Sequence, residues 1–297
     1  MADSPGDPWI RGVPDTAFMV AAWRAAESER PDALFRDPFA ARLCGERGRA
    51  MAASLPSGAL GRWQVTIRTV IIDDFIQRAV AAGTDTVVNL GAGLDARPYR
   101  MALPASLRFI EVDYPEIIDW KTARLAEAAP RCRLERVKLD LADLPARRAL
   151  LAGLGGAPGK VLFLTEGVIP YLTAEAVGAL ADDLRAVAGA RWILDYFSPQ
   201  TLRYRRRVAE SRHMRQAPFR FETDDWFGFF AGHGWTPLEA RYLGEEGRRL
   251  RRPVPFPPLV RLLVKLRRLF GRRPAGGLQR FAGYVLLGPA DGRAPGA

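Results

Sequence analysis

The chain has 297 residues, 48% of them hydrophobic, enough for one large core. No apolar run reaches the ~18–20 residues that a membrane-spanning helix needs, and the opening Met-Ala-Asp-Ser-Pro-Gly-Asp is acidic and polar, unlike a secretory signal. The net charge of +11 belongs to the C-terminal third, where residues 191–280 carry 20 Arg/Lys against 8 Asp/Glu, but no helix-turn-helix, zinc or RNA-recognition signature accompanies it, so nucleic-acid binding is not expected. Cys44 and Cys132 lie far apart, and His213 and His233 have no ligand spacing. That pattern predicts no metal site and a reduced, cytoplasmic setting.

In chain order, residues 15–30 read as a helix, with Phe18, Ala22, Ala25 and Ala26 at helical spacing. Residues 31–61 are broken by prolines and glycines into short helices. Residues 62–82 form a long helix, with Val65, Ile72, Phe75, Ile76 and Ala79 on one face and Gly83 as its stop. Strands at 86–90, 108–112, 133–138, 160–165 and 191–197 then alternate with helices near 96–102, 115–128, 146–153, 173–188 and 200–213. That alternation predicts a Rossmann-like α/β fold, a mostly parallel sheet with helices on both faces. A helix 223–232, a strand 236–243 and a last strand 280–287 close the chain. The last two strands are joined without a crossover helix, so they are expected to pair as a hairpin and give the sheet an antiparallel end. Two parts result: a helical cap, 1–82, and a sheet domain, 83–297, with a basic insert, 244–278.

The chemistry gathers at strand ends. Val87-Val-Asn-Leu-Gly-Ala-Gly93 is followed 20 residues later by Asp113, at the end of Phe109-Ile-Glu-Val-Asp113. Glycines allow a tight turn and close ligand approach, and an acid at the next strand tip accepts hydrogen bonds from a ribose. Asp113 also serves as a helix cap in a blander reading. Asp95 sits where a diphosphate would be repelled, so the loop suits a ligand with an ammonium or sulfonium centre. The third strand ends in Asp140-Leu141, an acceptor and an apolar neighbour for adenine, or a simple loop acid. The fourth ends in Glu166. Four successive strands thus bring a special residue to one edge, as a shared crevice requires. A nicotinamide- or flavin-dependent oxidoreductase remains the alternative for this glycine loop.

Asn-Leu-Gly-Ala-Gly-Leu-Asp-x-Arg (89–97), Glu-Val-Asp-Tyr-Pro (111–115), Leu-Asp-Leu (139–141) and Glu-Gly-Val-x-x-Tyr-Leu (166–172) resemble the leucine carboxyl methyltransferase-like family of class I S-adenosylmethionine-dependent methyltransferases. This group contains protein phosphatase leucine carboxyl methyltransferases and tetracenomycin-type polyketide O-methyltransferases. The resemblance covers residues 15–243 and the last strand. It implies a seven-stranded sheet, S-adenosylmethionine as cofactor, and O-methylation of a small, acidic carboxylate of the secondary-metabolite type. It carries cofactor roles to Arg68 and Arg24 (methionine carboxylate), Gly91 (under the methionine moiety), Asp113 (ribose), Asp140 and Leu141 (adenine), and Glu166, while Gly93 is expected at the cofactor as part of the glycine turn. Tyr171 matches a tyrosine bordering the substrate pocket.

A carboxylate acceptor is already anionic at neutral pH and needs no general base. A hydroxyl acceptor would want one, and His213 is the candidate. Within the insert, Arg261, Lys265, Arg268 and Arg272 share one helical face, opposite a leucine-rich face. Such a helix at 257–273 suits packing on the protein's own body or a lid. That packing is the default reading; the lesser alternatives are peripheral contact with an anionic membrane carrying a lipidic substrate, and a partner-binding helix.

Overall fold

The computed structural model describes residues 15–54, 58–154, 160–201, 219–255 and 279–290. Three helices come first: α1 (Thr16–Ser28), α2 (Ala40–Ser54) and α3 (Gly58–Ala81). The sheet follows as β1 (Thr86–Leu90), β2 (Arg108–Asp113), β3 (Arg133–Lys138), β4 (Val161–Thr165), β5 (Arg191–Phe197), β6 (Trp235–Tyr242) and β7 (Ala282–Pro289). Its helices are α4 (Arg97–Arg100), α5 (Pro115–Arg124), α6 (Leu144–Ala152), α7 (Ala174–Arg185), α8 (Trp226–Gly232) and α9 (Leu243–Arg249). The strand order is β3-β2-β1-β4-β5-β7-β6. β1 to β5 run parallel, and β7 is antiparallel to both of its neighbours. The expected closing hairpin is present, but β7 inserts between β5 and β6, leaving β6 at the edge. Pro237 sits on that edge strand beside a register shift to Glu239, where a missing N–H is tolerated.

Strand alternation splits the core into two layers. Val88, Leu90, Ile110, Val112, Phe163, Trp192 and Leu194 face one way, toward Val177, Leu180, Ala181 and Leu184 of α7 and Trp226 and Phe230 of α8. Val87, Phe109, Leu162, Leu164, Ile193 and Tyr284 face the other, toward Ile67, Ile71, Ile72, Phe75, Ile76 and Ala79 of α3. Each fully buried isoleucine or phenylalanine contributes roughly 1.5–3 kcal/mol, so α3 is held to the sheet by many such contacts. Val65 differs from the sequence expectation. It packs with Phe18 and Met19 of α1 and Leu43 of α2 rather than with Ile72 and Phe75.

Most element bounds agree with the sequence reading within a few residues, and the exceptions have local causes. α5 ends at Arg124, not 128, because the chain must turn before Pro130 to enter β3. α8 begins at Trp226, not 223, because Asp225 accepts the Gly228 N–H at 2.9 Å and sets the start as an N-cap. The helix expected at 200–213 and the amphipathic helix expected at 257–273 lie almost wholly outside the described residues. Among the described residues no helix is long and apolar enough to cross a membrane.

Candidate active site

Parallel β1 to β5 put their carboxyl ends along a single edge, in the spatial order β3, β2, β1, β4, β5. Asp140, Asp113, the Gly91–Gly93 loop, Glu166 and Asp195 therefore line up along it, the first four of them as the sequence predicted. Asp195 was not anticipated; its Leu-Asp-Tyr context reads as an ordinary strand.

At the β1–β2 end the loop is stitched down by backbone. The N–H groups of Gly91 and Ala92 both donate to the Val112 carbonyl, at 2.8 and 3.0 Å. Asp113 is 7% exposed. Its Oδ2 accepts the Gly93 N–H at 2.6 Å and its Oδ1 the Tyr114 N–H at 2.7 Å. Burial pushes this carboxyl above the usual aspartate range against both N–H donors. Gly91 has φ +72°, and a Cβ there would stand 2.4 Å from Val168 Cγ2, so glycine is required twice over. Asp140 is exposed beyond β3 and accepts the Ala142 N–H at 2.9 Å. Leu141 is half-buried beside it.

The β4–β5 end is built of charges instead. Arg97 is fully buried and reaches three acids: Asp73 at 2.7 Å, Asp95 at 2.8 Å and Glu166 at 2.7 Å. Asp95 also accepts from Asn89 Nδ2 at 3.0 Å. Its charge is thus spent inside the protein, correcting the expectation that it addresses a ligand's cation. Burial raises the Asp95 carboxyl, but Arg97 and then Arg24 outweigh it, and the net shift is downward. Arg68 of α3 keeps 17% of its side-chain surface. Its Nε stands 2.8 Å from Glu166 Oε1 but off the hydrogen-bond direction, so both atoms are buried without a hydrogen-bond partner. Burial opposes the Arg68 charge, yet Glu166, Tyr284 and Asp195 hold its pKa above the usual value. Glu166 is the converse: burial pushes it up, Arg97 and Arg68 pull it down, and the net is lowered.

Arg24 of α1 is 3% exposed. Its Nη2 donates to the Leu94 carbonyl at 2.5 Å and its Nε lies 3.3 Å from Asp37. It fastens the cap to the glycine loop. Tyr171 follows β4 in a single 3-10 turn (Ile169–Tyr171) and stacks on Phe219 with centroids 5.2 Å apart. The Arg220 N–H donates to Pro170 at 2.7 Å, so this aromatic pair is anchored beside the β4 tip. His233 lies elsewhere, in the turn before β6, 2.7 Å from Asp182 of α7. His213 lies outside the described residues. Among the described residues no cluster of His, Cys, Asp and Glu is arranged to hold a metal.

Sequence comparison matches residues 17–185 to the leucine carboxyl methyltransferase family. A Frankia alni protein, provisionally named an S-adenosyl-L-methionine-dependent methyltransferase, is 34% identical over 271 residues, spanning 86% of this chain and 95% of its own. A similarly named protein of Mycolicibacterium smegmatis is 36% identical, over 79% of this chain and 86% of its own. Among solved structures, a DUF574 family protein of Streptomyces avermitilis superposes with a TM-score of 0.53 at 16% identity, covering 91% of this chain and 96% of that one. That last likeness is one of fold.

The edge carries what S-adenosylmethionine needs: a cation in Arg68, which keeps 17% of its side-chain surface, an acid in Asp113, and an exposed acceptor in Asp140. The buried atoms Asn89 Oδ1, Arg97 Nη2 and Glu166 Oε1, which make no hydrogen bond, cluster about the same strand tips. These residues fit the cofactor.

Proposed function

The chain belongs to the leucine carboxyl methyltransferase family of S-adenosylmethionine-dependent methyltransferases, and from that premise we propose that it methylates a carboxylate oxygen of a small molecule. With both relatives named as methyltransferases, the nicotinamide or flavin alternative is set aside. The observation that carries the reading is the placement of Gly93, Asp113 and Glu166 at the carboxyl ends of adjacent parallel strands, with Arg68 ion-paired to Glu166, along an edge that suits a nucleoside-bearing cofactor. Along it Asp113 takes the ribose, Asp140 and Leu141 the adenine, and Gly91, Glu166 and Arg68 the methionine end. Arg24 acts through Leu94, by holding the loop.

The cofactor supplies an activated methyl group on a sulfonium. The protein's share is placement and exclusion of water. Arg68, ion-paired to Glu166, orients a carboxylate. Tyr171 and Phe219 offer an aromatic wall next to the β4 tip, where an acceptor would lie. A carboxylate with a pKa near ~4 arrives ionised, so its oxygen attacks without a base. The carboxyl specificity is supported by that chemistry and by the family's own description.

The test is a transfer assay with methyl-labelled S-adenosylmethionine and a panel of carboxylic acids and phenols. A carboxyl methyl ester releases labelled methanol in mild alkali, whereas a methyl ether does not. Alkali-labile product supports the proposal. Alkali-stable product alone would move the acceptor to a hydroxyl and revive a general base.

A further inference from the structure

Asp195 is a buried acid that none of these binding roles uses. It stands on β5 directly opposite Tyr284 of β7. The Tyr284 hydroxyl donates to its Oδ1 at 2.6 Å. The Gly167 N–H reaches both carboxylate oxygens, at 2.9 and 3.1 Å. Gly167 has φ +71°, and it immediately follows Glu166, whose two oxygens face Arg68 and Arg97. A single carboxylate therefore ties β5, β7 and the turn after β4.

Asp195 is 2% exposed, and burial pushes its carboxyl up to about 6. The Tyr284 hydroxyl, the Arg68 charge and the Gly167 N–H pull it down, while Glu166 adds to the upward push. These are the charged and titratable groups facing it from β7, α3 and the β4 turn. An acid raised above its ordinary value of 3.8 supports the fold when protonated. That support is full below about pH 4 and is lost as pH rises through about 6. At neutral pH the charge on Asp195 weakens the fold, so its use must be sought in the site.

We propose that Asp195, braced by Tyr284, is a positioning residue for cofactor binding, acting as a carboxylate that fixes the Glu166–Gly167 turn and sets negative charge behind Arg68 in a crevice that receives a cation. The inference rests on the cofactor and not on the identity of the acceptor.

Calorimetric titration with S-adenosylmethionine and with S-adenosylhomocysteine, from pH 5 to 8, tests it on the wild type, Asp195→Asn and Tyr284→Phe, alongside melting of each protein without ligand. At pH 7.5 Asp195→Asn should melt no lower than the wild type. It should nevertheless bind S-adenosylmethionine at least about tenfold more weakly. S-adenosylhomocysteine, which lacks the sulfonium charge, should lose less. Wild-type affinity should fall as pH drops through about 6. The Asn variant should lack this fall, apart from what Asp113 contributes. Tyr284→Phe removes a donor that holds the Asp195 carboxyl down, so the wild-type fall should move to higher pH.

Wild-type affinity and an unchanged pH profile in Asp195→Asn would overturn the proposal. So would equal weakening of both ligands in step with a lowered melting temperature. If Asp195→Asn does not fold, an unshifted profile in Tyr284→Phe overturns it instead. A wild-type protein that binds neither ligand would overturn the cofactor assignment and this proposal with it.

Discussion

On the β1–β2 side of the crevice, Asp113 is satisfied by two N–H groups, one from its neighbour and one 20 residues away, and the loop is pinned by the Val112 carbonyl. On the β4–β5 side the bonds run between side chains far apart in sequence: Arg97 to Glu166 across 69 residues, Tyr284 to Asp195 across 89. The first arrangement gives each backbone donor the acceptor it needs, at the cost of burying one carboxylate, whose pKa burial raises. The second buries charges whose desolvation is recovered only if every partner is present. One side is a rigid cradle; the other is an ion network in which removing one member exposes the rest.

The contrast is broken most easily at Arg97. Arg97→Met leaves Asp73, Asp95 and Glu166 without their shared cation, and loss of one partner from a buried ionic group destabilises by about 3–5 kcal/mol. Chemical denaturation should show that loss. A change under about 1 kcal/mol would mean the network contributes no more than a surface ion pair.

The pH dependence comes next. Between pH 4 and 7 the wild type should lose stability relative to Asp195→Asn. A shift from 3.8 to about 6 is worth at most about 3 kcal/mol. Parallel denaturation curves at the two pH values measure this difference, and a difference of opposite sign would mean that Asp195 is held as a carboxylate by its partners.

Arg68→Met should weaken cofactor binding by about 2 kcal/mol, roughly 30-fold, if its cation meets a carboxylate. The apo protein should also lose some stability, because Glu166 keeps Arg97 but loses its buried ion pair with Arg68 at 2.8 Å. Asp140→Ala, at an exposed tip, should weaken binding least, by under about 1 kcal/mol, because solvent competes for its hydrogen bonds.

The same contrast explains what could be read from the sequence. The strands at 86–90 and 191–197 were legible because apolar runs bounded by turn residues mark them. Gly91, Gly93 and Asp113 were legible because their chemistry is local, a loop and the next strand tip. The hub at Arg97 was not. Its neighbour Asp95 looked like a ligand group, and only the fold, by bringing α3 and the β4 tip together, shows that Arg97 and Asn89 occupy it. Asp195 and Tyr284 were invisible for a related reason. Nothing in Leu-Asp-Tyr or Gly-Tyr-Val tells that β7 inserts beside β5 and sets the two side chains opposite each other. Val65 shows the limit of periodicity: helical spacing says which residues are buried, not against which layer.

The most direct test of the account is calorimetric titration of S-adenosylhomocysteine into the wild type and into Asp113→Ala at pH 7.5. The account predicts binding by the wild type and at least about tenfold weaker binding by the variant, 1.4 kcal/mol or more. Equal affinity in the two proteins, or none in the wild type, would contradict it.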